Sequence, residues 1–141
     1  MRKGNLFLVL FLVLMSTTLS AAHHATSTLN EKMIRDYFNG WDTANIEKVM
    51  GYFSADIVYE DVPKAEIAKG TNAVKVFVEQ FFTNFSGARL AVDSVTTAKK
   101  GAAAEWTMSG GSGEEAWSIR GASIIEHKGG KISKVTDYWD K

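Results

Sequence analysis

Asp137 stands between Val135 and Trp139 in an alternating stretch, Lys131 to Trp139. In an extended chain these three side chains share one face, while Lys134, Thr136, Tyr138 and Asp140 take the other. A carboxylate held between two large apolar groups loses water, which raises its pKa and suits it to exchange protons near neutral pH. The plainer role for such an Asp is to cap a loop or to pair with Arg120 or a lysine. Asp61 follows Tyr59 by two residues, so on an extended segment both point the same way. Two carboxylates in one pocket split their pKa values and can serve as an acid and base pair. Asp61 also stands two residues before Pro63, where its plainer role is to organise the turn. Tyr59 and Tyr37 are candidate donors to a substrate carbonyl, or else amphipathic core residues. Trp41, Trp106, Met108 and Trp139 are the candidate walls of an apolar ligand site, or else core.

Other chemistries lack their residues. There is no cysteine, hence no disulfide framework, thiolate nucleophile or zinc–thiolate site. Of three histidines, two (His23 and His24) stand in a short polar leader and the third, His127, adjoins a turn, so no metal is expected. No Ser-His-Asp set, phosphate loop or dinucleotide fingerprint is present, and no cofactor is expected. Sixteen basic residues balance sixteen acidic ones without a basic cluster, which argues against a nucleic-acid partner. Four Trp, four Tyr and eight Phe indicate a substantial core or an aromatic pocket.

These candidates need elements to position them. Leu29, Met33, Tyr37 and Trp41 recur every four residues, predicting a helix capped by Thr28 or Asn30. Ile46, Val49, Met50 and Phe53 predict a second, short helix. Ile57 to Tyr59 is a β-prone piece ended by Glu60-Asp61-Val62-Pro63. Gly70-Thr71-Asn72 opens a third helix whose buried stripe is Ala73, Val74, Phe77, Val78, Phe81 and Phe82. The remainder reads as strands: Arg89 to Ala98, Ala102 to Ser109, Ala116 to Lys128, and Lys131 to Trp139 after a Gly129-Gly130 turn. Gly110 to Glu115 is a link between two of them. Ala104, Trp106 and Met108 share a face opposite Ala103, Glu105 and Thr107, and Arg120 is expected to pair with Glu105 across strands. Helices then antiparallel strands make an α+β order, a cone-shaped roll of three N-terminal helices packed on a curved antiparallel sheet.

The first 22 residues read as an export signal. Arg2 and Lys3 precede the apolar run Leu6 to Met15, and Ser20 and Ala22 satisfy the small-x-small rule for cleavage before His23. The run is too short for a permanent membrane helix. The expected organisation is therefore 1–22 signal, 23–28 leader and 29–141 domain. The expected destination is the periplasm or the medium, with no membrane attachment after cleavage. Loss of Arg2 and Lys3 leaves a small acidic excess.

Ile46-Glu47 through Tyr52-Phe53-Ser54-Ala55-Asp56, then Tyr59-Glu60-Asp61-Val62-Pro63, Arg120-Gly121-Ala122-Ser123, and Gly130-Lys131-Ile132 through Asp137-Tyr138-Trp139-Asp140 resemble the nuclear transport factor 2-like, or SnoaL-like, superfamily. The resemblance covers about Leu29 to Asp140 and implies a deep pocket at the wide end of a cone. Three enzyme types within it compare residue by residue. Against the limonene-epoxide-hydrolase type, Tyr59 and Asp137 match, Asp61 stands where an Asn would be, and the Arg and second Asp fall on Trp106 and Met108. Against ketosteroid isomerase, Asp61 matches the base and Tyr37 the oxyanion tyrosine, while the protonated oxyanion Asp falls on Ala122. Against SnoaL-like polyketide cyclases, Asp137 matches the acid/base residue, and this pattern is the least damaged.

The resulting expectation is an exported domain that takes a small hydrophobic, carbonyl-bearing molecule. Asp137, Asp61, Tyr59 and Tyr37 would catalyse an isomerase-, cyclase- or lyase-type proton transfer, with Trp41, Trp106, Met108 and Trp139 lining the site. The alternatives are a non-catalytic ligand-binding module, or an assembly domain in which the sheet face, with Thr107, Arg120, Thr136 and Tyr138, forms a homodimer.

Overall fold

The Asn30 side chain accepts the Met33 N–H at 2.9 Å, satisfying one of the free donors at a helix start, and α1 runs Glu31–Asp42. Asn45 does the same for Lys48 N–H, and α2 runs Ile46–Gly51. Strand β1 (Phe53–Asp61) follows directly, then a turn at Val62–Ala65 and the four-residue β2 (Glu66–Lys69). Helix α3 (Gly70–Asn84) crosses back, and the chain ends in β3 (Arg89–Ala98), β4 (Gly101–Gly110), β5 (Trp117–Lys128) and β6 (Lys131–Trp139). A single 3-10 turn, Gly113–Glu115, joins β4 to β5. The computed structural model describes residues 29–140. The expected export signal, the leader with His23 and His24, and Lys141 lie outside the described residues. Among those described, no helix is long and apolar enough to cross a membrane.

The six strands form one sheet in the order β2-β1-β6-β5-β4-β3. Gly129 (φ 55°) and Gly130 (φ 79°) take left-handed conformations that turn β5 tightly into β6. Register shifts in β3/β4, β5/β6 and β1/β6 bend the strands, and the helices pack against the sheet. Ile34, Tyr37 and Val49 from α1 and α2, Val74 and Val78 from α3, and Ile57, Ile125, Ile132 and Val135 from the sheet make the fully enclosed core.

Several expectations change, beginning with Phe53, which opens β1 instead of belonging to the second helix, because α2 ends at Gly51. The helices do not all precede the sheet: β1 and β2 separate α2 from α3. β1 is longer than its β-prone centre because Ser54, Ala55 and Asp56 interrupt the apolar alternation with exposed or half-buried positions. β2, an edge strand with charged ends, is too short for its period to register. The sheet is also not wholly antiparallel, since β6 pairs parallel with β1. Alternation identifies a strand, but pairing between segments so far apart is decided by burial in the assembled fold, with no hairpin to impose a direction. Finally, Ala73 is exposed, and the stripe of α3 narrows to Val74, Phe77, Val78, Phe81 and Phe82.

Asp42, at the end of α1, holds the start of β3. It accepts both Nε and an Nη of Arg89 at 2.9 Å and the Leu90 N–H at 2.8 Å. A carboxylate at a helix C-terminus is unfavourable on its own, and these three donors reverse that, holding its pKa below the usual value. Asp42→Ala is expected to lower the unfolding free energy by about 1–2 kcal/mol, mostly through the unsatisfied Leu90 N–H. In urea denaturation the deficit should be full above pH 5 and shrink as pH falls below about 4, where the unfolded Asp gains its proton first.

Candidate active site

The parallel register of β1 and β6 sets Tyr59 opposite Val135 and Asp61 opposite Asp137. On the other side of β6, Ser123 of β5 lies opposite Asp137 and Gly121 opposite Trp139. Across the next pair, Trp106 of β4 lies opposite Gly121 and Ala104 opposite Ser123. Tyr59, Asp61, Ser123, Asp137, Trp106 and Trp139 therefore reach the same concave side of the sheet, under α1 and α3.

Asp137 is held from both sides. The Tyr59 hydroxyl donates to its Oδ2, and Ser123 Oγ donates to its Oδ1 at 2.5 Å. Trp106 Nε1 in turn donates to Ser123 Oγ at 3.0 Å, so the serine is oriented by an indole. That indole lies across Gly121: a Cβ added there would stand 2.3–2.4 Å from two carbons of the Trp106 ring and 2.8 Å from the Tyr138 carbonyl oxygen, so the strand needs glycine at this position. Asp61 forms a second centre. It is 5% exposed and accepts Trp139 Nε1 at 2.9 Å on Oδ1, while Lys64 Nζ stands 3.5 Å from its Oδ2. No ion pair involving Asp137 is found among the described residues.

Aromatic rings close the site. Trp41 of α1 meets Phe81 edge-on at 5.1 Å and Tyr59 at 5.7 Å, and Tyr59 meets Phe77 at 4.7 Å. Together with Phe38, Phe85, Leu90, Met108 and Ile119 they enclose about 40 Å³. A cavity needs roughly 10–15 Å³ of such space to hold one water, so there is room for about three waters. Phe81, Phe85, Leu90, Met108 and Trp41 are shared with a wider cleft of about 370 Å³ on the far side of that wall.

The electrostatics follow from enclosure. Burial pushes the Asp137 carboxyl up to about 6; its Ser123 and Tyr59 donors oppose the rise and the Asp61 charge adds to it. Burial, then the Asp137 charge, drives the Tyr59 and Tyr37 phenols well above their ordinary value, so both stay neutral donors. The Trp41 indole N–H is buried without a hydrogen-bond partner, although it faces the Tyr37 hydroxyl closely enough to restrain that rise.

Seven of the eight residues singled out from the sequence line this cavity: Tyr59, Asp61, Asp137, Trp41, Trp106, Met108 and Trp139. Tyr37 does not; it is 1% exposed and sits behind Tyr59, out of reach of a ligand. Helical period placed Tyr37 on the inner face of α1 but could not give its depth below the cavity floor. The expected Arg120–Glu105 pair is also absent: Arg120 lies opposite Thr107, and Glu105 instead accepts Ser94 Oγ at 2.6 Å. Sequence reasoning missed Ser123 and Lys64 as members of the site. The parity of β5 was a usable signal for Ser123, and nothing in the turn around Lys64 marked it. Among the described residues no group of three His, Cys, Asp or Glu side chains is placed to hold a metal ion.

Residues 34–135 match the family model described as a SnoaL-like domain. Among solved structures, a protein from Catenulispora acidiphila with a ketosteroid isomerase-like fold, crystallised with trimethylamine, superposes with a TM-score of 0.69. It is 14% identical over 78% of this chain and 86% of its own. A nuclear transport factor 2-like protein of unknown function from Cytophaga hutchinsonii superposes at 0.67 with 17% identity, over 78% of this chain and 98% of that one. A third, of unknown function with a cystatin-like fold from Methylobium petroleophilum, gives 0.65 with 21% identity over 81% and 80%. No curated protein matches this sequence.

Asp137 makes a signed prediction for stability. Folded, it keeps its proton up to a pH of about 6; unfolded, it loses it near 3.9. The folded state binds more protons between those values, so the stability due to this group falls as pH rises from 4 to 6. In urea titrations, the unfolding free energy of the parent minus that of Asp137→Asn should decline by about 2–3 kcal/mol between pH 4 and 7. A flat difference would show that the carboxylate is not desolvated.

Proposed function

The chain belongs to the SnoaL-like domain family, and on that premise we propose that it binds a small, mainly apolar carbonyl compound and moves a proton on it, with Asp137 as the base. The observation that carries this is Asp137 itself: a carboxylate in an aromatic cavity, held by two hydroxyl donors, without a cationic partner, and with a pKa near 6. A base so poised is ionised at neutral pH yet accepts a proton readily. The cavity walls exclude water, and the closed volume favours a compact ligand rather than a polycyclic one.

The chemistry follows from the hydrogen bonds. Asp137 Oδ2 takes the proton from the carbon next to the carbonyl, and the C–H electron pair moves into the enolate. Once Oδ2 is protonated it is a weaker acceptor, and the Tyr59 hydroxyl turns to donate to the charged enolate oxygen, which it does as a neutral phenol. Ser123, fixed by Trp106, keeps Oδ1 in place so that the base does not rotate away. Asp61 supports the step by its negative charge, which raises the proton affinity of Asp137. Tyr37 acts from behind Tyr59 as a positioning residue. Return of the proton to another carbon gives an isomerase; loss of a leaving group gives a lyase.

A binding module without turnover is the second proposal, favoured by the small closed volume and by the substitutions at the hydrolase and isomerase positions noted above. Export with cleavage before His23, and a homodimer through the outer sheet face, where Tyr138 and Ile124 are exposed although Thr136, expected there, is buried, complete the proposal.

The catalytic arm is tested by solvent-deuterium incorporation into the α-carbons of compact ketones, followed by NMR. Turnover is expected to rise through an apparent pKa of about 6 and to fall by about 10²–10⁴-fold in Asp137→Asn, with the fold retained. Exchange undiminished in that variant would remove Asp137 from the base role. Native mass spectrometry of protein made from the full chain in bacteria tests the rest. It should give twice the mass of residues 23–141, with a small molecule retained if the chain only binds. An unprocessed chain or a monomer would remove the export or dimer proposal respectively.

A further inference from the structure

A third charged side chain reaches the cavity as the counter-ion of the buried Asp61, and the proton transfer does not use it. Lys64 stands on the turn after β1, partly open to solvent, and its ammonium lies 5.4 Å from the centre of the Phe85 ring and 5.8 Å from that of Trp139. Its third neighbour is the Asp61 carboxylate at 3.5 Å, itself enclosed and pinned by Trp139 Nε1. A buried carboxylate flanked by two aromatic faces is a receptor for an ammonium ion. In this chain the seat is filled by a tethered ammonium whose stem retains a path to water, so vacating it exposes no apolar core. Charge points the same way: two carboxylates line the cavity against one lysine, and Asp137 has no cation. An anion entering here would meet Asp61 and the negative faces of two rings. A neutral group would leave the seat to Lys64.

We propose that the mouth of this cavity recognises a small alkylated ammonium group on the ligand, and that Lys64 is the intramolecular occupant the ligand displaces. The proposal rests on the cavity being a ligand site and deepens that reading. The ligand's ammonium end lies at Asp61, Phe85 and Trp139, and its carbonyl end reaches Asp137. Alkylated cations suit the seat better than a primary amine, because they are less strongly hydrated and offer more surface to the rings.

The test uses three compact probes of similar shape and different charge: tetramethylammonium, tert-butanol and pivalate. Each is titrated against the folded full chain and two variants by NMR and tryptophan fluorescence, with circular dichroism checking that each variant is folded. Tetramethylammonium should bind saturably, with affinity at least about tenfold above the other two. Lys64→Met removes the competitor and should raise that affinity roughly tenfold, while Asp61→Asn, which keeps an acceptor for Trp139, should lower it by a similar factor. Preferential binding of pivalate that is lost in Lys64→Met would overturn the proposal and make Lys64 an anion anchor. Equal binding of tert-butanol and tetramethylammonium would overturn it while leaving the cavity as a ligand site. Binding of none of the three would overturn both.

Discussion

The hydrogen bond from Tyr59 to Asp137 joins the second half of the chain to the first, and the rest of the site depends on it. It spans the parallel β1–β6 pair, in which the last strand of the sequence inserts between β1 and β5. That insertion sets Asp61 beside Asp137, lays Ser123 against the second carboxylate oxygen, and buries β6 on both edges. A carboxylate in such a place is tolerable only if its oxygens find donors. Tyr59 and Ser123 meet that condition without neutralising it. The group stays basic because its partners are hydroxyls and not cations.

The aromatic residues serve two ends at once. Tyr37, Phe38, Trp41 and Phe53 stack edge to face as core, and the same cluster continues through Phe77, Phe81 and Phe85 as the wall of the cavity. Core packing therefore sets cavity size: no boundary separates the residues that stabilise from those that shape the site. Gly121 illustrates the coupling. Its missing side chain lets Trp106 lie flat across β5, and only there can the indole N–H orient Ser123. The two carboxylates have different surroundings despite facing each other across the strand pair. Asp61 has a lysine and an indole, whereas Asp137 has hydroxyls alone. Such asymmetry separates the roles of two acids in one pocket.

Much of this was legible in the chain. Four-residue spacing found α1 and left its cap between Thr28 and Asn30, of which Asn30 is the one, and alternation found β3 and β6 end to end, because both signals are local and arise from one-sided burial. Parity along β6 put Val135, Asp137 and Trp139 on one face, and parity along β4 did the same for Ala104, Trp106 and Met108. β1 was less legible, since its polar start at Ser54–Asp56 masks the period, and β2 was too short to show one. Lys64 was invisible, because a turn lysine has no period at all.

The residue types available for chemistry, carboxylates and tyrosines without thiols, are written in the chain, as is the face each takes on its own helix or strand, because side-chain direction is a local consequence of backbone geometry. Which faces meet is a property of the assembled fold. The parallel direction of β1 against β6, the depth of Tyr37 behind Tyr59, the Ser123 contact to Asp137 and the seat of Lys64 over two rings all depend on contacts between distant segments. Such contacts are set by the packing of the whole core, and no window along the chain contains them.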